Sequence, residues 1–274
     1  MYILTKEIRD EFIGGLRQEY ARLLPSKRIG SVNDILFGAR ELYLSGTPFH
    51  NRGADRQMRM EDPSILEATL DPLCVKIWHY FFIEPEKKSQ EEFDLFHEEC
   101  CDTFIEIFSE AGIYHTYGNA QKYINMLFKY LSCYEDAEEF FSKKFKYCHL
   151  TLDRYTYNGY RIPFYREVVY NAKYGKDEKK FAAWSQLTKA EYLSINTDIS
   201  SYIAKNPKTY NYYLEICHSL SLFLNISPLA EDYVLTPFEA EFFLWAIAKR
   251  CMKKNEDDKY IYSMAFVNEI KKML

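Results

Sequence analysis

The apolar residues of this chain recur at helical spacing over most of its length. One stretch, from about Gln90 to Ala111, carries large apolar side chains and a cysteine three or four residues apart. These positions are Phe93, Phe96, Cys100, Phe104 and Phe108. The spacing predicts an amphipathic α-helix, which a Ser89-x-x-Glu92 capping box begins and Gly112 ends.

Similar patterns predict helices elsewhere, while alternating strand patterns are short. A Thr188-x-x-Glu191 capping box begins a helix over 189–204, and Thr236-Pro237 begins one that runs to about Lys254. Further helices are predicted at 5–23, 31–44, 64–84, 122–131, 135–146, 161–173, 208–224 and 258–273. The best strand pattern, Thr151 to Tyr157, is too short to form a sheet. We therefore expect an all-α fold of about ten helices.

Composition limits the class of protein. The chain has 274 residues, 47% of them hydrophobic, so residues 1–274 can form one helical domain or two small subdomains. Its 24 Tyr and 20 Phe residues predict an aromatic interior. The sequence has no run of 18 apolar residues, and the segment Met1–Phe12 is charged from Lys6 onward without a signal-peptide core. We expect a soluble, cytoplasmic monomer that does not associate with membranes.

The cysteines and the common catalytic motifs give little support for a metal or a cofactor. Seven cysteines form no Cys-x-x-Cys pair, and their odd number argues against a disulfide framework and a zinc ribbon. They are interpreted as buried small hydrophobic residues. The sequence has no Gly-x-Gly-x-x-Gly motif, no phosphate-binding loop ending in Gly-Lys-Ser/Thr, no His-Glu-x-x-His and no Gly-x-Ser-x-Gly. We expect no metal and no cofactor.

A short glycine-containing segment carries the strongest indication of chemistry. Gly118-Asn119-Ala120-Gln121-Lys122 follows the helix over 90–111, and the segment Leu150-Thr151-Leu152-Asp153 places an aspartate 31 residues after the lysine. The local unit is predicted to be a helix, a tight glycine turn and a second helix with Lys122 in its first turns. Backbone N–H groups at such a turn attract an anion, usually a phosphate, and glycine lets that phosphate approach closely.

This segment resembles the hairpin of the helix-hairpin-helix DNA glycosylases. The hairpin reads Gly-x-Gly-x-Lys in the bifunctional members and is followed by an apolar-x-apolar-Asp segment. Gly118 and Ala120 match the two glycines, Lys122 the catalytic lysine and Asp153 the catalytic aspartate. The extended lysine-to-aspartate spacing is most similar to the archaeal 8-oxoguanine branch.

The resemblance implies a helix-hairpin-helix bundle and a DNA glycosylase with AP lyase activity, acting in DNA repair on duplex DNA that contains a damaged or modified base. Lys122 is then the nucleophile at C1′ and Asp153 the residue that stabilises charge on the sugar. The resemblance also implies contacts to the DNA backbone from four residues, and a site within 112–157. These four are Gly118, Asn119, Ala120 and Gln121.

The charge distribution is compatible with a DNA partner although the net charge is −5. Residues 112–180 contain 12 Lys and Arg against 8 Asp and Glu. The loop Ser45–Pro63 carries Arg52, Arg56 and Arg59, which either contact DNA or belong to a plain surface excursion. His149, four residues before Asp153, either lines the pocket or is a structural histidine.

The alternative function is an all-α interaction protein without catalysis. Its aromatic surface would bind another protein or a ligand other than DNA. The acidic net charge favours this alternative, whereas the hairpin and the local positive excess favour the enzyme. The deciding observation is spatial, because the enzyme requires the Lys122 amine and the Asp153 carboxylate to face each other.

Overall fold

The computed structural model describes residues 28–45, 62–86, 88–134, 137–141, 143–153, 184–205, 238, 252–254 and 260–262. Within these ranges the chain is predominantly helical. Five long α-helices account for most of it: α1 Val32–Ser45, α2 Pro63–Trp78, α3 Gln90–Glu110, α4 Tyr117–Leu131 and α6 Lys189–Lys205. A short helix, α5, covers Ala137–Phe141. No helix in the described ranges is both long and apolar enough to cross a membrane.

Two helix starts and one helix end agree with the capping signals of the sequence. Ser89 and Glu92 form both hydrogen bonds of a capping box, with the Glu92 N–H donating to Ser89 Oγ at 3.2 Å and the Ser89 N–H to Glu92 Oε2 at 2.8 Å. Gly112 ends α3 with a φ of 77°, a conformation that favours glycine. The predicted Thr188–Glu191 capping box at the start of α6 also has both bonds. These boundaries are confirmed.

The core is aromatic, as the composition predicted. α1 packs on α2 and α4, and α3 packs on α2 and α4. All five periodic apolar positions of α3 are buried. Tyr80 stacks on Phe96 with ring centroids 3.7 Å apart, and Phe104 stacks on Tyr123 at 4.6 Å. The cysteines at 74, 100, 101, 133 and 148 are buried, as predicted for these five.

The predicted helix 64–84 is confirmed, but its last turn is a π-helix, His79–Ile83. The Glu84 N–H bonds to the His79 carbonyl, five residues back, at 2.9 Å. Pro85 has no N–H, so it cannot donate to the Tyr80 carbonyl that comes next in this pattern. The buried ammonium of Lys144 donates to the Tyr80 and Glu84 carbonyls instead. A distant lysine therefore caps this helix end.

Two predicted helices in this part of the chain have different bounds in the structure. α4 begins at Tyr117, five residues before the predicted start, because Thr116 is its N-cap and accepts the Asn119 N–H at 3.1 Å. The predicted helix 135–146 is broken into α5 and a 3₁₀ turn, Phe145–Tyr147. Lys144, at φ −139° and ψ −51°, lies outside the helical region at this break.

The described part of the chain is consistent with the predicted all-α fold apart from two short strands near the C-terminus, β1, Met252–Lys254, and β2, Tyr260–Tyr262, which pair antiparallel. Met252 pairs with Tyr262 and Lys254 with Tyr260. The helices predicted to run to Lys254 and over 258–273 are therefore incorrect at these residues. The sequence Tyr-Ile-Tyr suits a strand, because aromatic and β-branched residues favour strands. The helices predicted at 5–23, 161–173 and 208–224 lie outside the described residues.

Candidate functional site

The start of α4 packs against the chain segment 184–187, which is a 3₁₀ turn followed by Leu187. The Gly118 N–H donates to the Leu187 carbonyl at 3.0 Å, and the Thr116 hydroxyl donates to the Ser185 carbonyl at 2.5 Å. A Cβ atom on Gly118 would lie 2.1 Å from the Trp184 carbonyl oxygen. Gly118 is therefore required by the close approach of two backbones, since no side chain fits between them.

This packing corrects the phosphate-binding role predicted for four residues. Gly118, Asn119, Ala120 and Gln121 form the first turn of α4 and are all buried. The Gly118 N–H already bonds to Leu187, and the Asn119 and Ala120 N–H groups already bond to Thr116. In this arrangement the amides cannot reach a DNA phosphate, because backbone of the protein itself occupies the place where the phosphate was expected.

Gln121 contacts the backbone of the segment that carries the predicted aspartate. Its Nε2 donates to the Leu152 carbonyl at 2.5 Å, and its Oε1 accepts the Leu152 N–H at 3.1 Å. The same Nε2 also lies 2.9 Å from the Gly118 carbonyl. One carboxamide therefore satisfies both backbone groups of Leu152 in the interior.

Lys122 and Asp153 face each other, which is the arrangement that the enzyme hypothesis requires. Lys122 Nζ lies 3.5 Å from Asp153 Oδ2, and the two side chains are 15% and 8% exposed. The Lys122 ammonium also lies 4.6 Å from the centroid of the Trp184 ring. The lysine is thus bounded by a carboxylate and an aromatic face in a partly desolvated position.

The Lys122 contact is looser than another lysine ion pair in the protein. Lys189 Nζ lies 2.6 Å from both Glu98 and Asp102 on the more exposed surface between α6 and α3. A separation of 3.5 Å exceeds the usual length of a charge-assisted hydrogen bond. Lys122 is consequently the less tightly bonded of the two amines.

His149 belongs to a buried polar network and not to an open pocket. Its Nε2 lies 2.8 Å from Asp94 Oδ1, and its Nδ1 lies 3.1 Å from the Tyr192 hydroxyl. Burial raises the pKa of Asp94, but hydrogen bonds from His149 and Gln90 bring it below its usual value overall. The structural interpretation of His149 fits this environment, because both ring nitrogens have partners.

The network continues through α3, α4 and α6. His97 Nε2 lies 3.0 Å from Asn125 Oδ1, and Asn125 Nδ2 donates to the Tyr192 hydroxyl at 3.0 Å. Asn125 Nδ2 also lies 3.3 Å from Gln121 Oε1, which joins the network to the Gln121 carboxamide. Burial, with the nearby charge of His149, lowers the pKa of His97 well below its usual value, so its ring is neutral.

Sequence reasoning missed these residues, although one signal was present. Gln121 and Asn125 are four residues apart, so their amides lie on one face of the same helix and can pair. Trp184 gave no such signal, because it lies about sixty residues from Lys122 in a stretch without a helical period.

In the part of 112–180 that the structure describes, most of the positively charged side chains are buried or nearly so. Lys122, Lys129 and Lys144 have little or no exposure, whereas Lys143 and Lys146 are partly exposed. Arg52, Arg56 and Arg59 lie outside the described residues, as do all the basic residues of 154–180. Among the residues that the structure describes, no group of three or more His, Cys, Asp or Glu could hold a metal ion.

Comparisons with family models, with curated proteins and with solved structures give no match for this chain. The geometry of Lys122, Asp153 and their neighbours is therefore the basis for assigning a function.

Proposed function

We propose that this protein is a DNA glycosylase with AP lyase activity, in which Lys122 forms a Schiff base with the sugar of a damaged or modified nucleotide. The observation that carries the proposal is the 3.5 Å approach of Lys122 Nζ to Asp153 Oδ2 in a partly desolvated site. The two residues are 31 positions apart in the sequence. An amine beside a carboxylate is the pair that this chemistry uses.

The proposed reaction assigns one task to each residue. The neutral Lys122 amine attacks C1′, the bond from C1′ to the base breaks, and the base leaves with the electron pair and takes up a proton. Asp153 accepts the lysine proton and stabilises the positive charge that develops on the sugar. The sugar ring then opens to an imine, which acidifies a C2′ proton, and β-elimination breaks the strand on its 3′ side.

Two features of the site support this assignment. Lys122 Nζ lies at ion-pair distance from Asp153 Oδ2, so an amine and a carboxylate are available side by side. The site is also partly shielded from water, because the Lys122 and Asp153 side chains are only 15% and 8% exposed. The proposal includes the helix-hairpin-helix arrangement for the whole chain, with α3 and α4 as the hairpin helices. It assigns DNA phosphates to residues other than the four at the start of α4.

A second candidate is a non-catalytic interaction protein. One observation favours it: in the described part of 112–153, Lys129 and Lys144 are buried and Lys122 is nearly so. Little positive charge therefore faces a polyanion there. The two candidates differ in salt dependence, because DNA binding through phosphates weakens steeply as salt rises.

The decisive experiment traps the Schiff base with borohydride on duplexes that carry oxidised, deaminated or alkylated bases. Lys122→Gln is expected to abolish base release and trapping, and Asp153→Asn to reduce the rate by a factor on the order of 1,000 while DNA is still bound. Lys189→Gln is the matched control, since it also removes a lysine ion pair and is expected to leave activity unchanged. Wild-type protein that is inactive on every substrate and is not retained with DNA at low salt would exclude the enzyme and favour the interaction protein.

A further inference from the structure

We infer that Gln121 is a positioning residue that holds Asp153 against Lys122. For catalysis the inference rests on the proposed function, whereas the geometric claim concerns the folded protein alone. It also gives Gln121 a role different from the DNA-backbone contact that the sequence suggested. The inference begins from the two hydrogen bonds between its carboxamide and the Leu152 backbone.

The contacts between α4 and the segment 150–153 are in a fixed register. Two consecutive residues of the helix, Gln121 and Lys122, contact two consecutive residues of the segment, Leu152 and Asp153. Side chains of adjacent helical residues point about 100° apart, so they reach different points along the neighbouring chain. If the segment moved by one residue, Leu152 or Arg154 would lie opposite Lys122, and the ion pair would be lost. The carboxamide of Gln121 prevents that movement by bonding to both backbone groups of Leu152.

The orientation of the carboxamide is fixed as well. Its Oε1 accepts from Asn125 Nδ2 at 3.3 Å, while its Nε2 donates to the Leu152 and Gly118 carbonyls. A flipped amide would place Nε2 against the Leu152 N–H and the Asn125 amide, and Oε1 against two carbonyl oxygens. Asn125 is in turn held by His97 and Tyr192. The buried network therefore determines which way Gln121 faces, and through it where Asp153 lies.

The first test replaces the carboxamide with a group of similar size that cannot form these bonds. In Gln121→Met, kcat for base release is expected to fall by a factor on the order of 100 with little change in KM, because the reacting groups are misplaced by about 1 Å. Combining it with Asp153→Asn is expected to add little to the effect of Asp153→Asn alone. Full additivity would overturn the inference, since a residue that acts through Asp153 has nothing to act on once that carboxylate is gone.

The second test does not depend on activity. In protein with ¹⁵N-labelled lysine, the Lys122 ammonium resonance is identified by its absence in Lys122→Gln. The resonance in Gln121→Met is expected to move toward its position in Asp153→Asn. The control is Tyr123→Phe, which removes a buried hydrogen bond to the Ala39 carbonyl from the same helix and is expected to leave the resonance in place. An unchanged resonance in folded Gln121→Met would overturn the inference.

A third variant supplies a pH-dependent rescue. In Gln121→Glu, a protonated carboxyl can still donate to the Leu152 carbonyl and accept from the Leu152 N–H, whereas an ionised carboxylate cannot donate. Burial raises the pKa of such a glutamic acid, so the switch is expected between about pH 5 and pH 9. The Lys122 resonance of this variant should match the wild type at the acidic end and depart from it as pH rises. A resonance that differs from wild type at every pH, or at none, contradicts the positioning role.

These readouts separate the two proposals. If wild-type protein has no glycosylase activity but the Lys122 resonance responds to Gln121 as described, the positioning role stands and the proposed function fails. If wild-type protein is active and Gln121→Met is folded with an unchanged resonance and an unchanged kcat, the positioning role fails alone. If Gln121→Met does not fold, the pH response of Gln121→Glu decides.

Discussion

Gly118→Ala is the sharpest test of the packing that builds the site. The added Cβ would lie 2.1 Å from the Trp184 carbonyl oxygen and 3.1 Å from the Leu187 nitrogen. Both contacts are to backbone, so the clash cannot be relieved by rotation of a side chain. Segment 184–187 would have to move by roughly 1.4 Å to restore an ordinary contact of about 3.5 Å. That movement would break the bonds from Gly118 to Leu187 and from Thr116 to Ser185.

The expected cost follows from these contacts. Overpacking costs about 1–3 kcal/mol, and the two lost hydrogen bonds add about 1 kcal/mol each. The higher helix propensity of alanine offsets up to about 1 kcal/mol of this loss in stability. The free energy of unfolding should therefore fall by about 2–4 kcal/mol. In urea this corresponds to a decrease of the unfolding midpoint on the order of 1 M or more.

Gly38→Ala is the matched control, because Gly38 also lies in a helix but a Cβ there would meet nothing within 4 Å. The free energy of unfolding of this variant should rise by up to about 1 kcal/mol, because alanine has the higher helix propensity. The assay is urea unfolding followed by circular dichroism for both variants and the wild type. If Gly118→Ala were as stable as Gly38→Ala, segment 184–187 would not pack on α4 as described, and the Lys122 contact with Trp184 would fail with it.

Two further predictions concern buried titratable groups. Burial lowers the pKa of His115 to about 4 and, with the charge of His149, lowers that of His97 well below its usual value. Both rings are neutral when folded and bind protons more readily when unfolded. The free energy of unfolding should thus be highest above about pH 6.5 and fall as pH is lowered toward about 4. His115→Phe should reduce this loss. A urea unfolding midpoint that does not change between pH 7 and pH 5 would contradict the prediction. Lys144→Met should lower the free energy of unfolding by about 2–3 kcal/mol, because two buried carbonyls lose their donor. An unchanged urea unfolding midpoint would show that Lys144 does not cap the π-helix.

The helices whose signals are local could be predicted from the sequence. The periodic aromatic residues of α3, its capping box and Gly112 all depend on residues within a few positions of one another. The same holds for the Thr188–Glu191 capping box at the start of α6. These elements could be predicted because the hydrogen bonds that end a helix are made by its own neighbours in the chain.

Local signals failed where a distant part of the chain supplies the partner. Gly118 was interpreted as a turn residue, yet it lies within α4 because the backbone at Trp184 crosses it at close range. Lys144 caps a helix end sixty residues earlier, where Pro85 lacks a donor. The strands at 252–254 and 260–262 depend on pairing with each other, which a helical period does not reveal.

For the candidate site, the sequence supplied Lys122 and Asp153, and only the tertiary structure brought them to 3.5 Å. It also decided that Gly118, Asn119, Ala120 and Gln121 are buried, with the amides of the first three bonded within the protein. The sequence specifies the chemical type of each side chain, but packing between segments far apart in the chain determines which side chains become its neighbours. Gln121 shows the difference most clearly, since its role follows from the Leu152 backbone, 31 residues away.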